Sequence, residues 1–225
     1  MKSECAKCTK FACSTKELDK GPSNCPTVIK SDVIKKAVTE YNKTEVKEFA
    51  RQASIQEFEG YMNLPEGRTP INPRVEEVAQ FAKKMGYKRL GIAFCIGLRE
   101  EARTLTKILE NRGFDVVSVC CKAGAIPKER IGITEEQKIA GPGAWESMCS
   151  PVTQAEILNS EGSEFNIAVG LCVGHDSLFF MYAHAPTTVL IAKDRVFGHM
   201  PAAGLYLSGS YYRKLLRKEP LETKQ

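Results

Sequence analysis

The stretch Arg89–Phe94 (RLGIAF), which runs on into Cys95-Ile96-Gly97-Leu98, carries no polar side chain after Arg89. A short apolar run of this kind reads as a strand buried on both faces, which is the pattern of parallel sheets. The next residues change period. Leu98, Ala102, Leu105 and Leu109 recur at helical spacing, and Gly113 stops them. Strand followed by helix is then repeated: 114–119 (FDVVSV) is a second strand, Ser150-Pro151 opens a helix with Val152, Ala155 and Leu158 inward, and 165–171 (FNIAVGL) is a third strand. A short helix at 176–184 and a fourth strand at 187–192 (TTVLIA) complete the series. The alternation predicts an α/β fold with a small, mainly parallel, four-stranded Rossmann-like sheet.

Upstream of this, three helical stretches are expected between residues 31 and 87. The first is opened by Ser31 with Val33, Ile34, Ala37, Val38 and Tyr41 on one face. The second gathers Val46, Phe49, Ala50 and Ala53, and the third is capped by Asn72 with Pro73 as its first residue. Residues 1–30 lack hydrophobic periodicity, contain Cys5, Cys8, Cys13 and Cys25, and are broken by Gly21-Pro22 and Cys25-Pro26. They cannot bury enough apolar surface to fold unaided, so a metal is expected to order them. The organisation read from the chain is therefore a cysteine-rich metal-binding knuckle (1–30), a helical segment (31–87) and an α/β domain (88–225). A Gly- and Pro-rich insertion at 122–148, which holds the single Trp, reads as a lid over the strand edge.

Composition narrows the function classes. With 43% hydrophobic and 26% charged residues, the 225-residue chain has an ordinary globular balance. It has no apolar run approaching the ~18–20 residues of a bilayer span, and its polar start does not resemble a signal peptide; a cytoplasmic protein without membrane contact is expected. The net charge of +5 comes from the two ends of the chain rather than from a stripe, so nucleic acid is not an expected partner. Neither a P-loop nor a G-x-G-x-x-G turn is present. Nine cysteines in a reducing compartment point to metal ligation or thiol chemistry.

The second cysteine group shows the chemistry through its positions. Cys95, Cys120-Cys121 and Cys172 each end a predicted strand, and Cys149 precedes the helix opened by Ser150-Pro151. In an open parallel sheet the carboxyl ends of the strands share one edge, and ligands bind there where the strand order reverses. Right-handed crossovers put the first and third strands side by side at that point. Cys95, Cys121, Cys149 and Cys172 are thus expected to meet in one crevice, with Cys121 preferred over Cys120 because the strand runs out there. Helix N-termini next to three of them favour thiolates. Four thiolates in a dry crevice suit an iron–sulfur cluster, [4Fe–4S] first, with His175 as a donor to cluster sulfur.

The N-terminal group starts with C-x2-C (Cys5, Cys8) and continues with Cys13 and Cys25-Pro26, spacing compatible with a cluster or with tetrahedral zinc. A redox partner protein or a small-molecule substrate is expected for such a protein. Two other readings stay open: a zinc-binding structural or sensor protein, and a hydrolase or transferase with Cys172 as nucleophile. The latter follows from Gly170-Leu171-Cys172-Val173-Gly174, which has the spacing of a nucleophile elbow, with Asp194 and His199 downstream in acid–base order. Asp194-Arg195 reads as a surface ion pair.

The chain also resembles a family of uncharacterised, cysteine-rich prokaryotic proteins predicted to bind metal. The resemblance is carried by the N-terminal cysteines, FCIGL (94–98), SVCCK (118–122), MCSPVTQAEILN (148–159), GLCVGHDSLFF (170–180) and KDRVFGH (193–199). It spans nearly the whole chain. Members carry Asn where Ser150 stands, and both residues cap helices. The resemblance implies metal binding and names no reaction.

Overall fold

The computed structural model describes residues 2–218 and divides at Ile71/Asn72 into two compact units. The first unit begins with three single 3-10 turns, Cys5–Lys7, Ala12–Ser14 and Leu18–Lys20. It continues with helices α1 (Pro26–Ile29), α2 (Ser31–Thr39) and α3 (Thr44–Glu59) and an antiparallel hairpin, β1 (Tyr61–Leu64) and β2 (Gly67–Pro70). Apolar periodicity does not reveal this hairpin, because most of its side chains are exposed. Arg68 holds it against α3, its guanidinium standing over the rings of Phe58 (5.5 Å) and Tyr61 (4.8 Å).

The second unit is the α/β part: α4 (Arg74–Lys84), β3 (Arg89–Phe94), α5 (Arg99–Asn111), β4 (Asp115–Cys120), α6 (Pro151–Ser160), β5 (Phe165–Val169), α7 (His175–Tyr182), β6 (Thr187–Ile191) and α8 (Ala202–Tyr206). The four strands run parallel in the order β4-β3-β5-β6. The expected α/β class and the neighbouring of the first and third sheet strands are both found, and strand order reverses between β3 and β5. Helix α4 starts one residue later than expected: Pro73 is its N-cap, and the Asn72 amide instead donates to Gln80 Oε1 at 3.2 Å.

Both faces of the two central strands are covered, which is why β3 and β5 are buried along nearly their whole length. Ala93, Val119 and Ala168 pack with Ala155 and Leu158 of α6 and Phe179 of α7. The opposite face, carrying Leu90, Ile92 and Ile167, lies beneath α4, where Phe81 meets Phe165 at 5.6 Å between ring centroids. Gly91 lies on the α6 face, where any side chain would have to displace its neighbours. A Cβ would stand 2.3 Å from Asn166 Oδ1 and 2.6 Å from Ser163 Oγ. Among the described residues, no helix is long and apolar enough to cross a membrane.

Candidate functional site

The carboxyl edge of the sheet gathers thiols. β3 ends at Phe94, and the Cys95 N–H donates to Val169 O of β5 (3.1 Å) while the Cys121 N–H donates to Phe94 O (2.8 Å). These bonds carry the ladder one residue past the strands and seat both cysteines in the interior, where they are buried. Ser150 N–H donates to Cys121 O (2.8 Å), bringing Cys149 alongside. Cys121 lies within hydrogen-bonding reach of both Cys95 and Cys149. It is therefore Cys121, one residue beyond the end of β4, that joins the group.

Electrostatics divide the three unequally. Cys95 is pulled down to about 5, first by the Cys121 thiol and then by Gly97 N–H and Lys193, against the opposing effect of burial. Cys149 is likewise lowered to about 5 by Cys121, helped by Lys122 and His175. Cys121 is raised, because it is the thiol that serves its two anionic neighbours and it is buried. Ile96 N–H points at its sulfur from 3.4 Å.

Cys172 lies beyond β5, on the turn into α7, and keeps different company. Arg195 Nη2 stands 3.1 Å from its sulfur, and Lys193 Nζ is 3.3 Å from Cys95 Sγ. One loop after β6 thus supplies a cation to each of the two central strand ends. Its shape is set by Asp194 Oδ1, which accepts the N–H groups of Val196 (2.9 Å) and Phe197 (2.8 Å). His199, at φ +67°, returns its N–H to Asp194 O and accepts the Asp194 N–H at Nδ1 (3.1 Å). The expected Asp194-Arg195 surface pair is replaced by this division: Asp194 builds the turn and Arg195 faces the thiol. These hydrogen bonds tie Asp194 and His199 to the loop backbone. Cys172 is also absent from the four non-glycine residues with left-handed backbone among those described, so the strained nucleophile of an elbow is not found at this turn.

His175 begins α7, with its N–H on Cys172 O (2.9 Å), and lies near Cys149. Asp176 Oδ1 accepts from Gly174 N–H (3.0 Å) and Ser177 N–H (2.8 Å). Gln154 is a member of this edge that the strand-end logic misses. Fully buried on α6, it donates through Nε2 to Phe94 O (3.1 Å) and Val119 O (2.7 Å), clamping together the strand ends that lead to Cys95 and Cys121. Its Oε1 is buried without a partner among the described residues. A glutamine among the inward-facing Pro151, Ala155 and Leu158 is the signal of it that the sequence offers.

In the first unit, Cys5, Cys8, Cys13 and Cys25 all line one cavity of about 60 Å³, with Phe11, Ala12 and Pro26 as apolar walls. Phe11 N–H donates to Cys8 Sγ (3.4 Å) from a left-handed backbone (φ 46°). The Cys25 thiol is lowered by the Thr27 hydroxyl and then by Thr27 N–H. Among the described residues, no three or more His, Cys, Asp or Glu groups in either unit are drawn into an arrangement that could hold a single metal ion.

A parallel α/β protein with a thiol-lined strand edge and a separate cysteine-lined knuckle is the class that these features define. Within it, the chain belongs to the family described as "protein of unknown function (DUF1847)", whose model matches residues 25–190. That span holds the whole sheet but for its last residue, Cys25 and the five cysteines from Cys95 to Cys172. The chain is also similar to the uncharacterized protein MJ0455 of Methanocaldococcus jannaschii, at 42% identity over 213 residues, which is 95% of this chain and 98% of the relative.

Proposed function

We propose that this is a cytoplasmic iron–sulfur protein with a redox role, holding one cluster among Cys5, Cys8, Cys13 and Cys25 and a second among Cys95, Cys121, Cys149 and Cys172. One observation carries the proposal: four cysteines from a segment with no core of its own line a single cavity of about 60 Å³. That volume is several times the ~10–15 Å³ that one water-sized occupant needs. Four sulfurs gripping one zinc at about 2.3 Å would be far tighter. A cluster spreads its cysteines over separate irons, and this suits sulfurs that surround a space without converging on a point.

The donor chemistry supports the same assignment at the sheet edge. Cys95, Cys121 and Cys149 would hold the group there, with Cys172 as the fourth ligand. When bound, a cluster supplies one-electron transfer at thiolate-ligated iron. The chain's own residues supply the rest. Ile96 N–H and Gly97 N–H donate to sulfur, Lys193 and Arg195 offset thiolate charge, and Gln154 keeps β3 and β4 in register at the edge.

Anaerobic purification from iron-replete cells, with iron, acid-labile sulfide and the visible spectrum measured together, tests the proposal. Iron with matching sulfide is expected. A colourless protein carrying only zinc, or no metal, would overturn it and return Cys172 to consideration as a nucleophile.

A further inference from the structure

The insertion between β4 and α6 borders an open surface groove of about 550 Å³ lined by Ile96, Lys122, Ala125, Ile139, Trp145 and Ser147, among others. This lies within the ~300–1,000 Å³ range of small-molecule pockets. Its lining begins at the thiols, since Ile96 follows Cys95 and Lys122 follows Cys121. The outer lining is apolar and wet: Ile139 is 85% and Trp145 66% exposed. Exposed apolar side chains concentrated at one opening mark a binding surface.

The charged groups define the ligand further. Lys122 Nζ donates to Ser147 O (2.5 Å), two residues before Cys149. The acid in the lining, Glu146, is paired with Lys128 at 2.7 Å and does not oppose an incoming anion. We infer that this pocket binds a small organic anion, an aryl or branched-alkyl carboxylate. Its apolar body would rest on Ile139 and Trp145, and its carboxylate would lie on Lys122, beside Cys149. The inference rests on the proposed function in taking the cysteine edge as the working centre, and it gives the insertion its role: to hold the substrate's body while its charged end faces that edge.

Trp145 is the single tryptophan of the chain, so its emission reports on this pocket alone. The full chain, as purified, is titrated with 4-phenylbutanoate, 4-cyclohexylbutanoate and the neutral 4-phenylbutan-1-ol. Iron and sulfide are measured on the same samples. Expected are a saturable blue shift with both acids, at least tenfold weaker binding of the alcohol, and at least tenfold loss of acid binding in Ile139→Asp and Lys122→Met, with recovery in Lys122→Arg. Ile139 is so exposed that its variant does not threaten folding. Equal binding of acid and alcohol would overturn the anion assignment, and no saturable response to either acid would overturn the pocket. Binding by protein free of iron and zinc would leave the pocket standing and defeat the metal proposal. Iron-loaded protein that ignores both acids would do the reverse.

Discussion

Gly170 stands between β5 and Cys172, and Leu98 between Cys95 and α5; their contact sets the spacing of the two central strand ends. Gly170 has φ +65°, and a Cβ there would lie 2.7 Å and 2.8 Å from the two methyls of Leu98 and 3.2 Å from its Cγ. Leu98 is fully buried and has no solvent to move into. Gly170→Ala therefore incurs two costs: about 1–2 kcal/mol for a left-handed alanine and about 1–3 kcal/mol for overpacking. Loss of glycine's freedom in the unfolded chain offsets about 0.5 kcal/mol. The net is about 2–4 kcal/mol, or a fall in melting temperature on the order of 4–16 °C for a chain of this size.

Thermal unfolding of metal-free, reduced protein, followed by circular dichroism, measures this. Gly113→Ala is the control, because Gly113 has φ +87° and a Cβ there would meet nothing within 4 Å, so it bears the backbone cost alone. The difference between the two variants belongs to Leu98. Leu98→Ala combined with Gly170→Ala should be less destabilised than the sum of the single changes by about 1 kcal/mol or more, as expected for residues in contact. Equal losses in Gly170→Ala and Gly113→Ala, or strict additivity in the double variant, would refute the assigned contact.

Cys172→Ser is expected to abolish the edge centre and spare the N-terminal one; unchanged iron and sulfide would remove Cys172 from the ligand set. Glu164 accepts the N–H groups of Lys88 (2.6 Å) and Arg89 (2.8 Å), which hold its carboxyl below the usual range. A depressed carboxyl stabilises the fold above its unfolded value of ~4.3, so the advantage of the native protein over Glu164→Gln should be full at pH 7. It should shrink as pH falls below that value, and a gap that widens on acidification would contradict this. Arg74 donates to Val189 O (2.9 Å) and Thr188 Oγ1 (3.0 Å) on the edge strand β6. Arg74→Met should cost about 0.5–1.5 kcal/mol in urea unfolding, and an unchanged midpoint would show that these bonds contribute nothing.

The sheet can be read from the chain because burial on both faces forces continuous apolar runs, and strand-end positions then follow without reference to contacts. That logic places Cys95 and Cys121 at one edge, and the structure brings them together with Cys149. The hairpin is hidden for the opposite reason: Met62, Asn63 and Arg68 are exposed and carry no burial pattern. Lys193 and Arg195 also stand at a strand end, where the reasoning that applies to the cysteines applies equally to them. The expected pairing of Arg195 with Asp194 obscures it, since sequence shows neighbours but not which way a loop turns its side chains. Gln154 shows another limit, because its two acceptors lie 60 and 35 residues away and only the packed sheet makes them adjacent.

Charge distinguishes the two proposed centres. Around the N-terminal cavity the polar lining is Glu4, Asn24 and Thr27, with no cation among the lining residues. At the edge, Lys193 and Arg195 lie within hydrogen-bonding distance of two sulfurs, and Lys122 lies near a third. Reduction adds negative charge, so cations favour it. A unit charge about 4 Å away is worth about 4 kcal/mol at an effective dielectric of about 20. Spread over a whole cluster, this becomes a shift on the order of 100 mV for a one-electron couple, at 59 mV per 1.4 kcal/mol. The edge centre should therefore have the higher potential of the two. Potentiometric titration monitored by electron paramagnetic resonance should resolve two couples. Lys193→Met should lower only the higher couple, by about 50–150 mV on the same estimate, and Lys193→Arg should leave it in place. A shift confined to the lower couple, or none in either, would show that the lysine does not act on the reducible group.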